Sequence, residues 1–245
     1  EMQRSLVGSE MCIRDRFMND CYPNSDVLIN KYNIKDKQLL GKLENQKVAI
    51  KLLRLDIRPK TIPATFDVEH ITTIHKYLFG DIYEWAGDFR EVNLHKWEEV
   101  LSGGTVEYTD HIYIESQLNN LFNRYELTEW GRNKDAVVDF LTELWVIHPF
   151  REGNTRTCVT FLWHYLKAKG VSFRVELLRN NPRYVRDALV MASYDRKEYL
   201  QRIILDALAY ESDDAMYGGI DSAGEQYQIA KSDYEAFKEK YSIRQ

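Results

Sequence analysis

Apolar residues recur every three or four positions through most of the chain, the spacing of helices with one buried face. Across 36–55, Leu39, Leu40, Leu43, Val48, Leu52 and Leu53 predict an amphipathic helix that Asp36 would cap. Val68, Ile71, Ile74, His75 and Leu78 predict a second over 67–79, and Ile114, Leu118, Leu121 and Phe122 a third over 112–125. Asp135 reads as the cap of a fourth, with Ala136, Val137, Phe140, Leu141, Leu144, Trp145 and Ile147 on its apolar face. Pro149 should end it, because proline disfavours helical backbone in the residue before it. Cys158, Val159, Phe161, Leu162, Tyr165 and Leu166 carry the next helix toward Gly170, a C′ glycine. Asn181-Pro182 opens another, and Asp195 reads as the cap of the last. Strand signals are scarce. The best lie between 89 and 108, where 89–94 and a segment within 100–108 read as hairpin arms about the Ser102-Gly103-Gly104 break. The predicted fold is mainly α, a helical bundle with a small β-hairpin flap.

Composition adds organisation. Residues 1–17 match none of this patterning and read as a non-native or disordered leader, so the domain is placed at 18–210. Beyond it, Glu211-Ser212-Asp213-Asp214 marks an acidic break before a tail, 211–245, with a polar helix expected over 226–241. The 245 residues are 44% apolar and 29% charged, ordinary for a globular protein with a continuous core. A net charge of −5 argues against broad nucleic-acid binding, and no apolar run approaches a membrane span. Neither partner is expected, and a cytoplasmic location is, with secretion as an effector left open. Cys12, Cys21 and Cys158 are too few and too scattered for a disulfide framework or a zinc site.

The chemistry concentrates in His148-Pro149-Phe150-Arg151-Glu152-Gly153-Asn154-Thr155-Arg156, at the junction of two predicted helices. The first amides of the second helix lack intrahelical partners, and its dipole favours negative charge, so this end suits phosphate. Gly153 permits close backbone approach or a positive φ. Asn154 is suited to capping the helix or donating to a phosphate oxygen, and Arg156 to forked bonds with phosphate. Each has a plainer structural reading. His148 alone would be a helix C-terminal residue, Glu152 a solvated loop acid, and Arg156 one half of a surface ion pair. Phe150, Trp85 and Trp145 read as core, and the remaining histidines as structural or exposed.

The run resembles the Fic family signature, His-Pro-Phe-x-Asp/Glu-Gly-Asn-Gly-Arg-x-x-Arg. The stretch Gly80-Asp81-Ile82-Tyr83-Glu84-Trp85-Ala86-Gly87-Asp88-Phe89-Arg90 is similar to the family's segment before its flap, and Tyr22-Pro23-Asn24-Ser25-Asp26-Val27-Leu28 to its beginning. The resemblance implies transfer of AMP from ATP to a protein hydroxyl, with His148 as general base and Glu152 holding Mg²⁺. Gly153, Asn154, Thr155 and Arg156 would line the phosphate site, and Asn93, Leu94, Lys96 and Trp97 on the flap would meet target or nucleotide. The target would present a Ser, Thr or Tyr hydroxyl, this chain included; no antitoxin is identified. Two positions depart: Thr155 replaces a glycine and Val159 the second arginine. They leave open transfer of another phosphate-containing group, as in a kinase, and a catalytically impaired binding module.

Overall fold

The computed structural model describes residues 20–101, 104–131 and 133–208. The leader at 1–17 and the tail at 211–245 therefore lie outside the described residues. Eight α-helices run within them: α1 Lys37–Ile57, α2 Val68–Phe79, α3 Ile114–Tyr125, α4 Lys134–Ile147, α5 Asn154–Ala168, α6 Val175–Asn180, α7 Pro182–Ala192 and α8 Glu198–Leu208.

Local chemistry sets most of the ends. The Asp36 carboxylate accepts from the Leu39 amide at 2.7 Å, and the Asp67 carboxylate from the His70 amide at 2.8 Å. Both satisfy amides that the first helical turn cannot. Gly170 takes φ +72° after α5, as its C′ placement requires. Four expected ends differ. Asn133, not Asp135, caps α4, its side chain accepting from the Ala136 amide at 3.0 Å. Residues 111–113 form a separate 3₁₀ turn ahead of α3. Asn181 precedes α7 as expected, but its amide donates back to the Leu177 carbonyl and makes no cap bond. Asp195 sits in a left-handed turn (φ +63°), three residues ahead of α8.

Helices α4 and α5 form the centre. Both are buried on nearly every face: α4 through Val137, Val138, Phe140, Leu141, Leu144 and Trp145, α5 through Cys158, Phe161, Leu162 and Leu166. Helix α2 packs on α5, α3 and α8 on α4, and α7 on α8. Phe66 fills the space between them, stacked on Tyr165 at 4.0 Å and against Phe140 at 5.3 Å. Fully burying each such ring is worth roughly 2–3 kcal/mol. Anchored at this depth, the short connection from α4 to α5 is held on both sides.

The hairpin is not confirmed. Between Phe89 and Tyr108 the pairing among the described residues is one antiparallel bridge, Trp97 to Thr105, with the Glu98 amide donating to the Gly104 carbonyl at 2.9 Å. Residues Glu99–Leu101 form a 3₁₀ turn. The cause is burial: Val100, Leu101 and Val106 all pack inward, where a strand would alternate its faces. The described residues of the flap form a loop.

Candidate active site

The α4–α5 connection is built around His148. Its backbone is left-handed, φ +49° and ψ +58°, which stops α4 and turns the imidazole back across the helix end. Nδ1 lies 3.2 Å from the Trp145 carbonyl. A carbonyl can only accept, so Nδ1 carries the proton and Nε2 presents its lone pair. Nε2 is buried and has no hydrogen-bond partner. The Tyr108 ring packs over the imidazole at 3.9 Å. Burial, with Lys96 nearby, pushes the imidazole pKa well below the ordinary histidine range. At neutral pH the ring is uncharged.

Beyond Pro149 the loop is held from inside. Phe150 is fully buried and stacks on His75 at 3.8 Å, nearly parallel. The Asn154 side chain closes the turn: Oδ1 accepts from the Phe150 amide at 2.9 Å, and Nδ2 donates to the Phe150 carbonyl at 2.7 Å. Both ends of its amide are thereby used within the loop. The N-cap position belongs to Gly153, and Asn154 is the first helical residue. The expectation of an Asn154 cap is corrected; what Asn154 offers an anion is its backbone amide. His75, read from sequence only as structural or exposed, is a pin. The Gly87 amide donates to its Nδ1 at 2.9 Å, so Nε2 carries the proton and donates to the Glu152 carbonyl at 3.1 Å.

Gly153 has φ +78°, and a Cβ there would stand 2.3 Å from Phe79 Cζ. No other residue fits without displacing that ring. The Glu152 carboxylate accepts from the Gly153 amide at 2.9 Å and lies 3.7 Å from both Lys96 Nζ and an Arg156 nitrogen. Partial desolvation pushes its pKa up, but Lys96 and Arg156 outweigh that and hold it well below the carboxylate range. Glu152 is ionised. No group of three or more His, Cys, Asp or Glu among the described residues makes a protein-only metal cage. The ionised carboxylate fits an ion such as Mg²⁺, which takes one or two carboxylates and completes its shell with phosphate and water, and the helix amides suit the phosphate.

Arg156 is drawn partly aside. It donates to Glu44 of α1 at 2.5 Å, and Glu44 also accepts from the Tyr83 hydroxyl at 2.6 Å. The guanidinium lies over the Phe79 ring, and its NH1 nitrogen is without a partner. Thr155 accepts from the Trp145 indole nitrogen at 2.9 Å. Its side chain is thus tied toward α4. Val159 is buried and lines a cavity of about 260 Å³ with Val48, Leu52, Leu178 and Val185.

On the flap, the four candidate residues separate. Lys96 reaches the site through Glu152. Trp97 is 57% exposed and Leu94 half-buried. Asn93 turns away: its amide donates to Asp110 at 3.0 Å and its oxygen accepts from the His111 amide at 2.9 Å. Sequence reasoning missed Tyr108, Glu98 and Arg186. The Tyr108 hydroxyl donates to Glu98, which also receives two bonds from Arg186 of α7, at 2.9 and 3.2 Å. That pair, with Glu98 buried and Arg186 half-buried, moors the flap over His148.

A family model described as the Fic/DOC family matches residues 65–166. The chain is 31% identical over 179 residues to the probable protein adenylyltransferase y4lH of Sinorhizobium fredii, covering 69% of this chain and 85% of that protein. The chain belongs to the Fic/DOC family.

The protein adenylyltransferase VbhT of Bartonella schoenbuchensis is 29% identical over 194 residues, and the match spans only 38% of VbhT. The Fic fold is seen again in the BepC effector of Bartonella tribocorum, solved with AMPPNP, at a TM-score of 0.65 and 22% identity over 77% of this chain and 95% of that one. The signature run of this chain lies on the α4–α5 turn. Its two departures are accommodated differently: Thr155 gains a hydrogen-bond partner, whereas Val159 is absorbed into apolar packing. No described helix is long and apolar enough to cross a membrane.

Proposed function

We propose that this Fic protein transfers AMP from ATP to a hydroxyl group of a protein target. The observation that carries the reading is the imidazole of His148, held neutral with an unpartnered, buried Nε2 beside the first turn of α5. The names of the relatives VbhT and y4lH support it.

His148 Nε2 takes the proton of the target hydroxyl as that oxygen attacks the α-phosphorus of ATP. The new bond is oxygen to α-phosphorus. The bond from the α-phosphorus to the bridging oxygen of the β-phosphate breaks, and pyrophosphate leaves. The first amides of α5, at Asn154, Thr155 and Arg156, face the phosphate charge with Gly153, and the helix dipole adds to their effect. Arg156 divides its charge between Glu44 and this end of the helix. Glu152 would hold Mg²⁺, which supplies charge neutralisation on the phosphates when bound. Lys96, Leu94 and Trp97 would border the target on the flap side. The target presents a Ser, Thr or Tyr hydroxyl, and the chain itself is a candidate.

ATP labelled separately at its α- and γ-phosphates, incubated with the protein and a cell lysate, tests the reading. Protein-bound α label is expected. Protein-bound γ label alone would instead assign phosphate transfer, and neither label would assign a binding module.

A further inference from the structure

Among the described residues, five other than glycine have positive φ, and only His148 is followed by proline. Proline disfavours helical backbone in the residue before it, and a left-handed residue with a side chain is already costly. Such a conformation persists only where its surroundings over-determine it. Here the surroundings are chiefly one side chain, Arg90.

Arg90 is 4% exposed, yet its hydrogen bonds among the described residues go to main-chain carbonyls and none to a carboxylate. Nε donates to the His148 carbonyl at 2.8 Å, and NH2 reaches the Ile147 carbonyl at 3.4 Å. These are carbonyls at the end of α4 that the helix itself leaves unsatisfied, at the negative end of its dipole. The Arg90 backbone amide donates to the Pro149 carbonyl at 2.9 Å, so three consecutive carbonyls around His148 are held by one residue. The same guanidinium grips both feet of the flap. NH1 donates to the Val92 carbonyl at 2.6 Å, and NH2 donates to the Thr109 carbonyl. Burying a guanidinium without an anionic partner is expensive, and burial lowers its pKa to about 10. A lysine could not reproduce the arrangement, since its single nitrogen cannot span four carbonyls in a plane.

We propose that Arg90 is a positioning residue: it holds the backbone of His148 in its left-handed turn and couples the feet of the flap to that turn. The proposal rests on the reading of His148 as general base. Arg90 does not touch the reacting atoms, so it acts on the chemical step and leaves donor binding to the first turn of α5.

The test uses the full chain with Arg90→Lys and Arg90→Gln. Turnover and KM for ATP are measured by α-label transfer, the Kd for ATP by calorimetry, and the tautomer of His148 by nitrogen NMR. Both variants are expected to lose about 10- to 100-fold in kcat, the scale of a 1 Å misplacement. KM and Kd for ATP should move less than about threefold, in keeping with intact donor binding. The NMR signal of His148 should show loss of the single Nδ1-protonated form. A folded variant with unchanged kcat, or one whose loss lies in KM and Kd alone, overturns the proposal. Unfolding of both variants also overturns it, by assigning Arg90 to global stability. Absence of transfer by the unaltered protein would count against the transfer reading. In that event the His148 tautomer still decides: a signal unchanged in the folded variants refutes the role of Arg90, and a scrambled one upholds it.

Discussion

The indole nitrogen of Trp145 donates to the hydroxyl of Thr155 at 2.9 Å, joining the last turn of α4 to the first turn of α5. Trp145 is fully buried, so this donor has no solvent to turn to. Thr155→Gly, which restores the family glycine, should therefore destabilise the fold. An unsatisfied buried donor costs about 1–3 kcal/mol, and glycine in place of a helical residue adds up to about 1 kcal/mol. Thr155→Ser keeps the acceptor and should stay within about 0.5 kcal/mol of the parent. Urea denaturation of the three proteins checks both.

His148→Asn separates chemistry from fold. Asparagine tolerates the left-handed backbone, so the variant should fold, with a loss of about 1–3 kcal/mol for the buried ring. The acceptor at Nε2 is gone, and α-label transfer should fall by about 10²- to 10⁴-fold. ATP binding by calorimetry should survive. Retained transfer would remove His148 from the role of base.

Gly153→Ala meets two obstacles, a positive φ and the Phe79 ring 2.3 Å from the added carbon. The backbone cost alone is roughly 1–2 kcal/mol, and the clash adds to it. Phe79→Leu in the same chain should recover part of the loss. A double-mutant cycle with a favourable coupling between the two substitutions is the expected outcome.

Acid should weaken the fold through buried histidines. His164 donates from Nε2 to the Pro59 carbonyl at 2.7 Å, so its Nδ1 accepts from His70 Nε2 at 2.9 Å. That chain of tautomers requires His164 neutral, and a proton added at His70 Nδ1 would be a buried donor with no acceptor. Burial, with His164 beside it, takes the His70 pKa down to about 3, and burial takes His75 down to about 4. The unfolded chain binds these protons near pH 6.5, whereas the folded chain resists them. Their stabilisation is complete above that pH and is lost as the pH falls toward the folded values. At pH 5 each such histidine costs about 2 kcal/mol. Urea midpoints followed from pH 7.5 to 5.0 should fall, and His70→Asn should flatten the slope between pH 6 and 5 by about 1.2 kcal/mol per pH unit.

What the sequence disclosed followed the range of the interaction. Asp36 caps its helix through an amide three residues away, and that spacing was readable; Asp67 caps α2 in the same way, but only the apolar face of that helix was read. Asp135 was a near miss because Asn133 has the same capping chemistry two residues earlier. Helix α6 went unread: it has six residues and buries only Val175 and Leu178, too few to show a period. Val100 and Val106 resembled strand positions, yet both anchor a loop from beneath. The signature run placed His148, Glu152 and Gly153 on the turn without help. Its partners were invisible, since Arg156 meets Glu44 across 112 positions and Arg90 meets His148 across 58. Nothing local in either segment records such a meeting.

Arg151, the variable position of the signature, donates to Asp20 at 3.1 Å, and its side chain is only 14% exposed. A stretch far upstream thus braces the α4–α5 bend from outside the signature run. For anyone trimming this polypeptide for crystallisation or fusing it to a tag, the practical boundary falls before Asp20: cuts on its carboxyl side would strand a cation against the very loop whose shape matters most.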